Sequence, residues 1–285
     1  MARQFKKLPS FSNVTAGNTA TLELPLGLTY DKIHINFSGV TLAQMKNLRV
    51  EVNGKPIREY KTAQVLQDEN KYYGRNVSAT VVDLCFNRDE MKTLPEARSF
   101  GLGTSSAPYP VQNADGSVSM VTPPAIANVT ISMDIDGAAT NPVLTAYAIL
   151  SNPAPIGFIT KVKNYPITIG AGLTEVDKIV RPETARIAAL HVITAATIEK
   201  LELEMDSIVM SDMPKNIVEK IQVDNGRAPQ AGRTALDFFL EGDMLQALPM
   251  KGVQDLRLRI SAAEGTASGT PATLVVEYFD GYAGI

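Results

Sequence analysis

Two carboxylates on alternate positions, Asp134 and Asp136, are followed by Gly137 and Asn141 and make an oxygen-rich segment. Calcium takes about six to eight hard oxygen ligands, so Asp134 and Asp136 are the candidate calcium ligands of the chain. No Glu closes the loop at the EF-hand position, so further ligands would have to come from other segments or from a neighbouring subunit. Without a metal, the same residues read as a polar strand end followed by a turn.

Other chemistry finds less support. The only histidines, His34 and His191, fall in different halves, whereas a cupin-type site gathers about two or three histidines with a carboxylate inside one barrel. The single cysteine, Cys85, has no intrachain disulfide partner. Glu202 and Glu204 share a strand face by period-two geometry, as a glycosidase pair would, but the outer face of a half-buried strand also reads this way. Glu241 and Asp243 precede a short helical segment, where negative side chains oppose the helix dipole. The sequence has no G-x-S-x-G elbow, and Gly101-Leu102-Gly103 and Gly170-Ala171-Gly172 lack the third glycine of a dinucleotide loop. These readings predict a protein that is not an enzyme and requires no cofactor.

Lys and Arg number 27 against 30 Asp and Glu, for a net charge of −3. No global positive field is available to condense on phosphate, which argues against direct nucleic-acid binding. The opening residues lack the apolar core of a signal peptide, and no run of about 18 apolar residues occurs, so synthesis and folding in a cytoplasm are expected.

The elements that would position any site are strands. Apolar and polar residues alternate at 33–37, 48–52, 129–135, 201–205 and 256–260, and further strands are expected at 20–25, 78–86, 143–150, 186–193, 234–240 and 272–279. Helical patterning is confined to short pieces near 62–72, 88–94, 214–221 and 242–247. The halves also resemble each other. Residues 46–53 match 199–206 at an offset of 153, and Asp83-Leu84-Cys85-Phe86 with Leu94-Pro95 matches Asp237-Phe238-Phe239-Leu240 with Leu248-Pro249 at 154. Residues 128–131 then match 255–258 at 127, which leaves 27 extra residues within about 99–127 of the first half.

Two tandem β units of this kind, each needing two packed sheets around one core, predict an all-β fold of two eight-stranded jelly rolls. The expected division is residues 1–150 for the first, with a loop insertion at about 104–126, a proline-bearing linker at 151–165, and 166–285 for the second. Within the insertion, Tyr109-Pro110-Val111 and Val118-Ser119-Met120-Val121 are expected to pair as a small hairpin around Ala114-Asp115-Gly116-Ser117.

Specific strings carry a family resemblance. Asn13-Val14-Thr15-Ala16-Gly17-Asn18, Leu24-Pro25-Leu26-Gly27-Leu28-Thr29-Tyr30, Ser38-Gly39-Val40-Thr41 and Tyr60-Lys61-Thr62 resemble the major capsid proteins of corticoviruses, phages with an internal membrane. Asp134-Ile135-Asp136, Arg181-Pro182, Arg186-Ile187-Ala188-Ala189-Leu190-His191, Phe239-Leu240-Glu241-Gly242-Asp243 and Val276-Glu277-Tyr278 continue it in order over nearly the whole chain. The resemblance implies a double jelly roll that forms homotrimeric, pseudo-hexagonal capsomers of an icosahedral virion around a lipid vesicle, after synthesis in the bacterial host cytoplasm. It implies as partners further copies of the chain, minor capsid proteins, membrane-associated virion proteins and, peripherally, the internal membrane. Family use of calcium adds weight to Asp134 and Asp136.

In such a shell, the basic start with Arg3, Lys6 and Lys7 is expected at the inner end near anionic headgroups, and the 104–126 loop at the outer surface. The competing reading is a carbohydrate- or receptor-binding β-sandwich, such as a phage spike or lectin. The absence of Trp and an aromatic content of 6% count against it, because sugar sites present flat aromatic platforms.

Overall fold

The computed structural model describes residues 3–282. The outermost residues of the two expected jelly rolls, 1–2 and 283–285, lie outside the described residues. The chain divides into two compact units, one of Met1–Gln67, Val77–Asp89 and Thr93–Ile159, the other of Asp68–Asn76, Glu90–Lys92 and Thr160–Ile285.

In the first unit one sheet runs β1 (Gln4–Lys7), β11 (Val143–Ser151), β3 (Thr29–Ser38) and β6 (Val81–Cys85), with β7 (Leu102–Gly103) beside β3. The other runs β5 (Lys55–Thr62), β4 (Met45–Val52), β10 (Val129–Ile135) and β2 (Thr19–Glu23). Alternate residues of both sheets point into one core: Leu22, Ile33, Ile35, Leu48, Val50, Val82, Leu84, Ile131 and Met133 are each fully buried. The hairpin β8 (Tyr109–Gln112) and β9 (Val118–Val121) forms as expected around Asn113–Ser117, as a separate exposed two-stranded sheet. Its base is anchored by Thr104, whose hydroxyl donates to Leu28 O at 2.7 Å and accepts from Gly27 N at 2.9 Å.

In the second unit one sheet runs β12 (Phe158–Ile169), β20 (Thr270–Gly281), β14 (Arg186–Thr194) and β17 (Arg233–Asp237), with β18 (Leu248–Pro249) beside β14. The other runs β16 (Ile208–Pro214), β15 (Ile198–Met205), β19 (Leu256–Ala262) and β13 (Gly172–Val176). Its core includes Ile187, Leu190, Val192, Leu203, Leu258, Ile260, Leu274 and Val276. Each strand of the second unit therefore takes the sheet position of its sequential counterpart in the first, the β8–β9 hairpin being extra. Even the irregularities repeat. Asp31 is the extra residue of a bulge between β3 and β11, and Ala188 of one between β14 and β20.

Of the expected linker, residues 152–157 have no regular structure, and β12 begins at Phe158. Ile159, Thr160, Lys161 and Val162 are all buried, so both faces of this stretch are covered, as in a packed strand and not in a linker. Lys6 and Lys7 of the basic start belong to β1, which pairs antiparallel with β11. Helix α1 (Ala63–Tyr72) and helix α3 (Lys215–Asp224) lie close to expectation, but the helix expected near 88–94 is α2 (Leu94–Ser99). Pro95 sits in its first turn, where the missing N–H costs nothing, and the Thr93 hydroxyl accepts from Glu96 N at 3.4 Å. The last expected helical piece is a single 3-10 turn, Met244–Gln246.

Gly103 explains one of the glycines singled out in the sequence. A Cβ there would lie 2.2 Å from Pro155 O, so β7 passes the chain at a distance only glycine allows.

Candidate functional site

Asp134 lies on β10 and Asp136 follows directly after its last residue, and both are half-buried. Asp134 Oδ1 accepts from the Thr19 hydroxyl at 2.6 Å and Oδ2 from the Asn47 amide at 2.8 Å. These two hydrogen bonds hold its carboxyl below the usual carboxylate range. Asp136 Oδ2 faces Lys46 Nζ at 2.5 Å, and Oδ1 accepts from Ala138 N at 2.8 Å. Lys46 chiefly, with the Ala138 amide, lowers its pKa. A calcium ion wants bare oxygens, but here every carboxylate oxygen faces a donor, so the pair does not fit calcium as arranged. Among the described residues, no group of three or more His, Cys, Asp or Glu side chains gathers as a metal centre would need.

The other candidate acid–base pairs are likewise held by donors. Glu202 and Glu204 both meet Arg259 Nη1 at 2.7 Å, while Arg259 Nε lies 3.1 Å from Glu175. Arg259, with Lys200 behind it, lowers the Glu202 pKa, the opposite of what a general acid requires. Asp243 caps the 3-10 turn through Leu245 N at 2.8 Å, and Glu241 accepts from Gln246 at 2.8 Å. His34 Nδ1 meets Asp83 Oδ1 across the β3–β6 pair at 2.6 Å. Cys85 is buried.

Sequence reasoning missed a set of buried polar residues in the second unit. Lys161 pairs with Asp280 at 2.9 Å, Arg227 with Asp237 at 2.7 Å, and His191 Nε2 with Glu277 at 3.1 Å, all almost without solvent exposure. Tyr72 packs edge-on against the His191 ring at 5.0 Å. Burial pushes the Asp237 carboxyl up, with Arg227 pulling against it. The available signal was a lone charge inside an apolar run, as in Val275-Val276-Glu277-Tyr278-Phe279. Buried charges survive only when paired, so each of these groups depends on its partner inside the core.

What the surface offers is apolar side chains. Val118 and Met120 of the hairpin are exposed, as are Ile208, Val209, Met210 and Met213 of β16. No helix among the described residues is long and apolar enough to cross a membrane.

Two jelly rolls of identical strand order define the class as a double jelly roll, the fold of structural neighbours that are capsid proteins. The fold is shared with the PBCV-1 virus capsid (TM-score 0.64, 10% identity, 97% of this chain and 93% of that one). It is shared too with a protein in the structure of Sulfolobus Turreted Icosahedral Virus (TM-score 0.62, 10% identity, 98% and 90%). Within that class the chain belongs to the viral coat protein P2 family. The family model of the P2 N-terminal domain matches residues 5–151 and that of the C-terminal domain residues 159–282. The chain is 35% identical over 283 residues to major capsid protein P2 of Pseudoalteromonas phage PM2, covering 97% of this chain and 96% of that one. The crystal structure of P2 from bacteriophage PM2 matches with a TM-score of 0.87 and 34% identity over 99% and 98% of the two chains. PM2 is a corticovirus, so the corticovirus resemblance of the sequence holds. The chain is a structural major capsid protein located in the shell of a phage virion, not an enzyme.

Proposed function

We propose that three copies of the chain form one pseudo-hexagonal capsomer, and that such capsomers tile an icosahedral shell around an internal membrane. Minor capsid proteins and membrane-associated virion proteins are then its further partners. The supporting observation is the repeat itself: nine strands of one unit recur in sheet position and order in the other. Under a threefold axis, two like domains per chain present six similar edges, and one capsomer type can then pack hexagonally. The exposed β8–β9 hairpin, which only the first unit carries, is assigned to the outer surface. There it lengthens a loop at small entropic cost without disturbing either sheet.

Size-exclusion chromatography with light scattering, followed by negative-stain imaging, tests this reading. Trimers seen as hexagonal plates are the expected result. A chain that stays monomeric at all concentrations, or forms closed dimers, would overturn it.

A further inference from the structure

The internal repeat gives each surface strand a counterpart, and one pair differs sharply. Register places Arg58 and Tyr60 of β5 opposite Val50 and Leu48 of β4 as Ser211 and Met213 of β16 lie opposite Leu203 and Leu201 of β15. Ile57 and Met210 are the extra residues of equivalent bulges, all at a constant offset of 153. Ile57, Arg58 and Tyr60 are 3%, 1% and 1% exposed, whereas Met210 and Met213 are 39% and 41% exposed. The fourth residues of the following helices behave alike, Leu66 of α1 being fully buried and Val218 of α3 only partly. Beside β16 lies an apolar groove of about 130 Å³, lined by Met210, Met213, Val218, Ile221, Phe238 and Leu240.

Strand β16 is also the last strand of its sheet, so its outer backbone groups are available for pairing. At the other end of the chain, β1 is likewise the last strand of its sheet, with Phe5 76% exposed. The charges are complementary. Residues 201–214 carry Glu202, Glu204, Asp206 and Asp212 and no Lys or Arg, while residues 3–7 carry Arg3, Lys6 and Lys7 and no carboxylate. Arg259 and Lys200 take up part of the first charge, and Asp31 meets Arg3 at 3.3 Å. Lys6 and Lys7 are exposed.

We infer that the β16–α3 face is the seat of a second copy of this chain, which lays its basic edge strand β1 along β16 with Phe5 entering the groove. The contact is head-to-tail, because the two surfaces differ, and such contacts close into rings. This inference rests on the capsomer reading and names the surfaces that would carry it.

The test uses the full chain, in which Cys85 is buried and gives little thiol background. Met213→Cys is expected to react with a maleimide in the dissociated chain and to lose that reactivity in the assembled capsomer. Val118→Cys on the hairpin is expected to react in both. In a Phe5→Cys/Met213→Cys double variant, mild oxidation is expected to give intermolecular disulfides. Circular dichroism melts matching the parent chain confirm that each variant folds. Undiminished labelling of Met213→Cys in assembled trimers would overturn the docking face while leaving the capsomer reading intact. Protection of Met213→Cys without any Phe5 cross-link, together with binding of the assembled capsomer to anionic phosphatidylglycerol vesicles that Lys6→Glu/Lys7→Glu abolishes, would overturn the role of β1 in favour of lipid. A chain that never assembles would overturn both readings.

Discussion

His34 and His191 occupy the same station in the two jelly rolls. Each lies three residues after the bulge of its strand, His34 after Asp31 and His191 after Ala188. Their neighbours decide what each ring does. His34 faces Asp83 across the sheet, with about a third of its side chain exposed. The residue opposite His191 is Ala235, and its carboxylate comes instead from Glu277 on β20, where both side chains are fully buried.

The same histidine station should therefore have two different weights in stability. Removing one partner of a buried pair costs about 3–5 kcal/mol, whereas half-exposed pairs are worth about 0–1 kcal/mol. Glu277→Ala is expected to fall in the first range and Asp83→Ala in the second, measured by urea unfolding of the chain. Equal costs would show that burial does not distinguish the two sites.

The β4–β5 and β15–β16 hairpins turn through Asn53-Gly54 and Asp206-Ser207, and all four residues have positive φ. Both turns are tied back alike, Asn53 Oδ1 accepting from Ala127 N at 2.7 Å and Asp206 Oδ1 from Asp255 N at 2.7 Å. Ser207, at φ 67, carries a Cβ where its counterpart is glycine. Left-handed backbone costs a non-glycine residue about 1–2 kcal/mol, so Ser207→Gly is expected to stabilise the chain by about 1 kcal/mol. A lower urea midpoint for Ser207→Gly would refute the shared turn.

Asp134 gives the chain an acid limb. Its folded pKa lies below the ordinary value of 3.8, so its contribution is complete above that pH and is lost as pH falls through the lowered folded value. Asp134→Asn is expected to flatten the loss of melting temperature below about pH 4. Because the Thr19, Asn47 and Lys46 donors occupy both aspartates, adding EDTA should leave the melting temperature of the dissociated chain unchanged. A drop restored by calcium would show that this pair, or another site, binds metal.

Limited proteolysis of intact particles reads the hairpin. Asn113–Ser117 is exposed throughout and held chiefly by its own contacts, such as Ser117 N to Asp115 Oδ1 at 2.9 Å. Cleavage there before any cut in the sheets is the expected pattern. Protection of this tip while other surface sites are cut would place it inward or within an interface.

The sequence alone determined the all-β class, the strands that alternate most cleanly and the repeat between halves, because alternation of side chains across a pleated sheet writes itself directly into residue order. Strands such as β1, β5, β13 and β16 and the long β12 leave a weaker pattern. The offsets of 153 and 127 match the observed registers of β4 with β15 and β10 with β19. It failed where alternation is blind. Residues 83–86 were matched to 237–240 at 154, but register pairs β6 with β17 at 152, so Asp83 corresponds to Ala235. A slip of two residues keeps every side chain on its face and leaves no trace in the pattern. Leu94-Pro95, matched to Leu248-Pro249, is instead the start of α2, and Leu102–Gly103 pairs as Leu248–Pro249 does. Only the tertiary structure decided which charges are buried, which donors saturate Asp134 and Asp136, and that β16 is bare where β5 is covered. Those outcomes depend on contacts between segments far apart in the chain, and local residue order does not encode which distant segment supplies the partner.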